Sequence, residues 1–214
     1  MILNSEEIKN LKIIESFDEE NFENASYNLS IDKIITMDGK EQKSGYKIKS
    51  QEILWAICKE KFNLPKDVIG LVHVKTTFTR DGIFAMNTGI IDPEYNGKIS
   101  TLLINFGKKE RFILKDEIIL RVIFANINIT NDDQYVPFKS NKDDSEYLNI
   151  IKKSTDNFDK TFLNMSMIQE KWYFVFKNKI KNFLLIFAAI AGCSFFIKDI
   201  VIPLFINIKT FLLK

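Results

Sequence analysis

The chain has 214 residues, enough for one domain with its own hydrophobic core plus an extension. Its 30 basic and 28 acidic residues leave a net charge of +2, which excludes the strongly basic field typical of nucleic-acid-binding proteins, so we expect no nucleic-acid partner. A single histidine and two widely separated cysteines, Cys58 and Cys193, provide no set of zinc ligands, and we predict no metal site built from side chains.

The N-terminus, "MILNSEEIKN", predicts a short helix. Ser5 is placed as its N-cap, and Glu6 and Glu7 in the first turn favour the helix dipole. The stretch lacks the long apolar run of a signal peptide, so we expect this domain to lie in the cytoplasm.

Residues 1–138 alternate short apolar runs with turn signals, a pattern typical of short antiparallel strands. Val72 and Val74 show the period of two within one such run. We expect chain reversals at Asp38-Gly39, Gly107-Lys108 and Lys115-Asp116. This segment therefore predicts a mainly β domain, folded as a barrel or a sandwich.

Residues 143–181 change to a spacing of three and four, which is the a/d pattern of a coiled coil. The positions on this stripe are Leu148, Ile151, Thr155, Phe158, Phe162, Met165, Gln169, Trp172 and Phe176. Two interpretations are open: a self-associating helical stalk, and an amphipathic helix packed on its own domain.

Residues 183–208 are strongly apolar, with Lys198 and Asp199 as an interruption, and a short tail follows at 209–214. Trp172, Tyr173 and several lysines precede this run, as in an interfacial flank on the cytoplasmic side. The pattern predicts a transmembrane helix in the cell inner membrane, and so a lipid-bilayer partner. A single span and a re-entrant hairpin both remain open, as do a passive anchor and an effector pore.

The stretch "NTGIIDPEYNGKIS", residues 87–100, places Asp92 before a proline between apolar runs. Taken alone, an Asp-Pro pair favours a turn that the aspartate side chain caps. The alternative is a carboxylate that faces a ligand.

Four motifs in order resemble the dCTP deaminase and trimeric dUTPase superfamily over most of residues 1–130. "ILNSEEI" with "ENASYNLSID" is similar to the deaminase opening, and "FNLPKDVIGLVHVKTTFTRDGI" to its "LPxDlxGxxxxRSSLARxGI" stretch. "NTGIIDPEYNGKISTLLIN" resembles "IDPGWxGxxTLEL.N", and "LKDEIILRVIF" resembles "GDxIaQLxF". The resemblance implies a β-barrel or jelly-roll domain of the β-clip type, in a homotrimer whose sites lie between subunits.

The same resemblance implies roles for individual residues. Asp92 matches the catalytic carboxylate that activates water, and Tyr95 matches the aromatic side chain that packs on deoxyribose. The remaining matched nucleotide-binding positions are Lys75, Thr76, Thr77, Arg80 and Asn87. The implied ligand is a pyrimidine nucleotide, with Mg²⁺ carried by its phosphates when it is a triphosphate.

Three departures from the family pattern limit the activity that we expect. The catalytic glutamate of the deaminases falls on Leu102, which cannot transfer protons, so we expect no deamination. The phosphate-side glutamine is placed on Leu120, and an aspartate that helps to hold hydrated magnesium falls on Asn28.

Two functions remain open from the sequence. The first is a non-catalytic nucleotide sensor or effector at the membrane, by analogy with bacterial antiviral systems that join nucleotide-reading domains to membrane-disrupting segments. The second is a dUTPase-type pyrophosphohydrolase that uses Asp92 as its base.

Overall fold

The computed structural model describes residues 1–15, 17–87, 89–128, 143–163 and 165–203. The chain divides into two compact units, residues 1–163 and 164–214. The boundary expected at residue 138 and the tail at 209–214 lie outside the described residues.

The described residues of the first unit form twelve strands and three α-helices. In chain order these are α1 (Ser5–Asn10), β1 (Ile14–Glu15), β2 (Phe22–Glu23), β3 (Ser26–Thr36), β4 (Glu41–Gln42), β5 (Gly45–Ile48), β6 (Ile53–Asn63), β7 (Val68–Val74), α2 (Thr76–Arg80), β8 (Ile83–Ala85), β9 (Ile90–Ile91), β10 (Asn96–Asn105), β11 (Arg111–Leu114), β12 (Ile118–Asn126) and α3 (Asp144–Ser154). The predicted mainly β class is confirmed for this unit.

Ten of the strands form one antiparallel sheet, in the order β8-β10-β6-β3-β12-β7-β9, with β1, β2 and β4 added at its sides. β3 joins the two halves of this sheet: its Tyr27–Ser30 part pairs with β12, and its Ile31–Thr36 part pairs with β6. β5 and β11 form a separate two-stranded sheet. The halves enclose one large apolar core, which includes Tyr27, Phe62 and Phe124.

The turns follow the sequence signals closely. The Gly39 N–H donates to the Thr36 carbonyl at 2.8 Å, with φ of +75° at Gly39. Asp116 has φ of +62° between β11 and β12, as a left-handed turn residue requires. The predicted first helix is confirmed, but its N-cap is Asn4, whose side chain accepts a hydrogen bond from Glu7 N–H in a capping box.

The structure does not support a continuous coiled coil over residues 143–181. α3 ends at Ser154, a 3-10 turn covers Thr155–Asn157, and the next helix, α4 (Met165–Phe196), begins only at Met165. Ile151 packs with Ile35 and Ile57 of the sheet instead of facing another helix. Residues 143–163 therefore pack on their own domain.

The second unit contains α4 and a π-helical turn at Ile197–Val201. Within the described ranges, no helix has both the length and the apolar character needed to cross a bilayer. The transmembrane helix predicted over 183–208 is therefore not supported.

Candidate functional site

The turn after β9 is closed by the backbone. The Asp92 carbonyl accepts a hydrogen bond from Tyr95 N–H at 3.2 Å, and Glu94 takes a φ of +59°. The Asp92 carboxylate is exposed and forms no hydrogen bond or ion pair with a described residue. The side chain therefore does not cap this turn, and it stays available to a ligand.

Asp92, Tyr95 and Asn87 meet at one cavity of about 200 Å³. We call it the tyrosine cavity; its other lining residues are Val72, Gly89, Ile90, Ile91, Ile99, Ser100 and Tyr147. Three of the predicted site residues are thus brought together by the two connections that flank β9. The combination of an apolar wall, an aromatic ring and one carboxylate suits a ligand with both apolar and polar faces.

Tyr95 is held in place from two sides. Its hydroxyl donates to the Lys98 carbonyl, and its own carbonyl accepts a hydrogen bond from Leu64 N–H at 3.0 Å. Burial, together with the nearby Tyr147, raises the pKa of Tyr95 above its ordinary value, so the ring is neutral at physiological pH. Tyr95 therefore serves as a fixed, uncharged wall of the cavity.

Asn87 lines the cavity, but most of its amide is engaged by β10. Its Nδ2 donates to the Ser100 carbonyl at 2.9 Å, and its Oδ1 accepts from Leu102 N–H at 2.8 Å. Through these two bonds, the Asn87 side chain pairs with the backbone of β10. Asn87 thus shapes the cavity, and only the remaining N–H of its amide is left for a ligand.

Tyr147 was not identified from the sequence, although it lines the tyrosine cavity. Its hydroxyl lies 2.8 Å from Ser100 Oγ, and burial raises its pKa. The first turn of α3, which carries Tyr147, is held to β10 by an ion pair of 3.4 Å between Asp144 Oδ2 and Lys98 Nζ. The helical spacing of residues 143–154 revealed an apolar stripe, but it could not show that this stripe folds back onto the β domain.

Leu102, at the position of the deaminase glutamate, is buried on β10. It belongs to an apolar cluster with Ile53 and Ile104, and Met37 and Trp55 pack against that cluster. Because its side chain is aliphatic, Leu102 itself offers no group to transfer a proton.

Lys75, Thr76 and Thr77 line a second cavity of about 380 Å³, together with His73, Val74 and Arg121. We call it the basic cavity. Lys75 Nζ donates to Asn28 Oδ1 at 3.2 Å, and the two threonines are exposed in α2. Arg80, at the end of α2, is exposed and lines neither of these two cavities.

Arg121 replaces Leu120 as the residue of β12 that faces the basic cavity. The register of β12 against β3 shifts between Ile118 and Leu120, and this shift turns Leu120 into the core, where it is 1% exposed. Leu120, to which the phosphate-side position was assigned, is therefore not accessible from the basic cavity, whereas Arg121 is. The sequence pattern did not reveal the bulge.

The two cavities are separate and share no lining residue. Val72 lines the tyrosine cavity and the next residue, His73, lines the basic cavity. One chain thus presents its predicted ligand contacts at two separate places.

The donor set in the basic cavity does not fit a magnesium ion held by the protein. Mg²⁺ prefers carboxylate and carbonyl oxygens, whereas the long side chains here are those of Lys75 and Arg121. Nowhere in the described parts of the chain do three metal-ligating side chains cluster. A magnesium ion bound here would have to arrive on the phosphates of a ligand.

Comparison with known proteins agrees with the motifs. Residues 32–127 match the family model described as "dCTP deaminase-like". The dCTP deaminase of Pyrococcus abyssi is 23% identical over 158 residues, which cover 72% of this chain and 100% of the relative. That of Thermococcus sibiricus is 24% identical over 157 residues, covering 72% and 98%.

Two solved structures are also similar. The dCTP deaminase of Agrobacterium tumefaciens has a TM-score of 0.49 and 15% identity, over 59% of this chain and 48% of that chain. A mutant dUTPase from phage phi11 of S. aureus, which coordinates a structural Mg(II) ion, has a TM-score of 0.42 and 12% identity, over 59% and 92%.

The family match and the curated relatives show that the first unit contains a β domain similar to the dCTP deaminases. More specifically, they support its placement in the dCTP deaminase/dUTPase superfamily.

Proposed function

We propose that the protein binds a pyrimidine deoxynucleotide at a site formed between copies of the chain in a homotrimer, as a sensor or effector without turnover. The observation that carries the proposal is the separation of the predicted contacts into two cavities that share no lining residue. A site shared between copies accounts for this arrangement, because the tyrosine cavity of one copy and the basic cavity of another can then meet the same ligand.

The chemistry of each cavity supports one part of such a ligand. The neutral ring of Tyr95 and the apolar wall beside it suit a nucleoside, and the cationic heads of Lys75 and Arg121 suit phosphate oxygens. The relatives' names, dCTP deaminase and dUTPase, favour a pyrimidine deoxynucleotide.

Deamination is not part of the proposal. The reaction needs a group that passes a proton between water and the leaving ammonia. Leu102 sits where the resemblance places that group, inside an apolar cluster.

A dUTPase-type pyrophosphohydrolase is the second candidate, and the free Asp92 carboxylate favours it. Because this carboxylate is exposed at the rim of the tyrosine cavity and pairs with no described residue, it is available to accept a proton from an attacking water. In that case Mg²⁺ would enter with the triphosphate.

One experiment separates the two candidates. The full-length protein is incubated with dUTP, dCTP and dTTP, with binding followed by calorimetry and products by chromatography. The test variant is Asp92→Asn, and the matched control is Asp67→Asn, which alters an exposed carboxylate outside both cavities. Binding without products in all three proteins supports the sensor.

Monophosphate and pyrophosphate formed by the wild type and by Asp67→Asn, but not by Asp92→Asn, would instead establish the hydrolase. No binding of any nucleotide would refute both candidates. Light scattering of the same samples tests the homotrimer, since a monomer could not form the shared site. The inner-membrane location remains a prediction, and fractionation of cells that express the tagged chain tests it.

A further inference from the structure

In the basic cavity, two cationic side chains are oriented by one buried amide. Lys75 Nζ and Arg121 Nε both donate to Asn28 Oδ1, each at 3.2 Å. Asn28 is 5% exposed, so this amide is a fixed and buried anchor. An amide oxygen orients two cations without neutralising either of them.

Among the described residues, Glu23 is the one carboxylate in this network. Its Oε1 accepts from Arg121 Nη2 at 3.1 Å and from Asn28 Nδ2 at 3.2 Å. Two cations thus face a single anion, and the net charge of the network is positive. Arg121 Nη1 donates to no described residue, and Lys75 uses one of its three N–H donors for Asn28.

Arg121 also has a defined direction. It lies opposite His73 in the β7–β12 ladder, and both side chains line the basic cavity. The exposed hydroxyls of Thr76 and Thr77 add neutral donors at the same cavity. The arrangement is therefore a set of donors around a space of about 380 Å³, which has room for several phosphate groups.

A polyphosphate can be neutralised by a metal ion held on carboxylates or directly by arginine and lysine. The first solution does not fit the described residues, because the one carboxylate of this network, Glu23, already pairs with Arg121 Nη2 at 3.1 Å, and Asn28 Oδ1 already accepts two hydrogen bonds. The second solution matches the free donors of Lys75 and Arg121.

We infer that the basic cavity binds the polyphosphate end of the ligand directly through Arg121 and Lys75, without magnesium. This inference rests on the proposed nucleotide-binding function and adds to it that the ligand is recognised as the metal-free anion. Arg121 is the specificity-determining residue, because its planar guanidinium offers paired donors that a lysine lacks.

Calorimetry on the full-length protein tests the inference with dUTP, dCTP, dTTP and inorganic tripolyphosphate, each in EDTA and in excess Mg²⁺. We expect the affinity in EDTA to equal or exceed that in Mg²⁺, because the metal competes with the protein cations for the same oxygens. Arg121→Gln should weaken binding in EDTA by a factor of about 10 or more, since it removes a charged hydrogen bond.

Two further variants sharpen this test. Lys108→Gln removes one positive charge from an exposed turn outside the cavity, and its affinity should stay within about twofold of the wild type if general charge is unimportant. Asn28→Asp adds a carboxylate behind the two cations and should weaken binding in EDTA.

The outcomes separate this inference from the proposed function. Nucleotide binding that is lost in EDTA, or that is unchanged in Arg121→Gln, overturns the inference and leaves the nucleotide-binding function intact. Tripolyphosphate binding that depends on Arg121, without binding of any nucleotide, keeps the inference and refutes the nucleotide. Failure of every anion to bind refutes both.

Discussion

Ile151→Ala tests whether α3 is fixed to the β domain by apolar packing. Ile151 is 6% exposed and packs with Ile35 and Ile57, while its neighbour Ile150 is 38% exposed. The two residues are chemically identical and adjacent in one helix. Ile150→Ala is therefore a matched control for Ile151→Ala.

The size of the effect follows from what is removed. Truncation of a buried isoleucine to alanine removes about three carbon groups, each worth about 0.8 kcal/mol. Alanine is the better helix former and returns about 0.4 kcal/mol. We expect Ile151→Ala to weaken the docking of α3 by about 2 kcal/mol, and Ile150→Ala to change it by less than about 0.5 kcal/mol.

Hydrogen exchange of the α3 amides is the appropriate assay, because it reports local opening separately from unfolding of the whole chain. A loss of about 2 kcal/mol corresponds to exchange that is about 30 times faster. Equal exchange rates in the two variants would refute the packing of α3 through Ile151. Faster exchange throughout the β strands would show instead that the substitution acts on the whole domain.

Two further predictions concern single polar groups. Tyr147→Phe removes the contact with Ser100 Oγ at 2.8 Å and should lower the stability of α3 docking by about 1 kcal/mol. A double-mutant cycle with Ser100→Ala measures the coupling between the two hydroxyls, and additive effects of the two substitutions would contradict the contact. Burial raises the pKa of Glu60 above its ordinary value of 4.5, although Ser30 donates to its carboxylate from both N–H and Oγ. The folded state therefore retains a proton that the unfolded chain has lost, and stability falls as the pH rises from about 4.5 through the folded pKa. Glu60→Gln should be more stable than the wild type in chemical denaturation at pH 7, with the difference closing as the pH falls below about 4.5; parallel stability curves would contradict this.

Local signals in the sequence were sufficient for much of the β domain. The turn at Gly39 and the left-handed residue Asp116 follow from the φ values that tight turns require. The period of two around Val72 gave the correct strand, β7. Such features depend on neighbours in the sequence. The family motifs also identified Asp92 and Tyr95, which the structure places at one cavity.

Features that depend on register or on distant packing were harder to predict. A single bulge in β12 exchanged the environments of Leu120 and Arg121, because a shift of one residue moves a side chain to the other face. Similarly, the apolar stripe with Ile151 fits a coiled coil and a docked helix equally well. The decisive information in the second case was the partner surface of Ile35 and Ile57, which lies more than ninety residues away in the chain.

The position of Tyr147 has a thermodynamic consequence. This residue belongs to α3, and it also forms part of the wall of the tyrosine cavity. A ligand that contacts it binds the docked form more tightly and shifts the helix toward that form. By reciprocity, any event that pulls the helix away must weaken the ligand by the same factor. The affinity of the tyrosine cavity for its ligand and the stability of α3 docking are thus thermodynamically coupled.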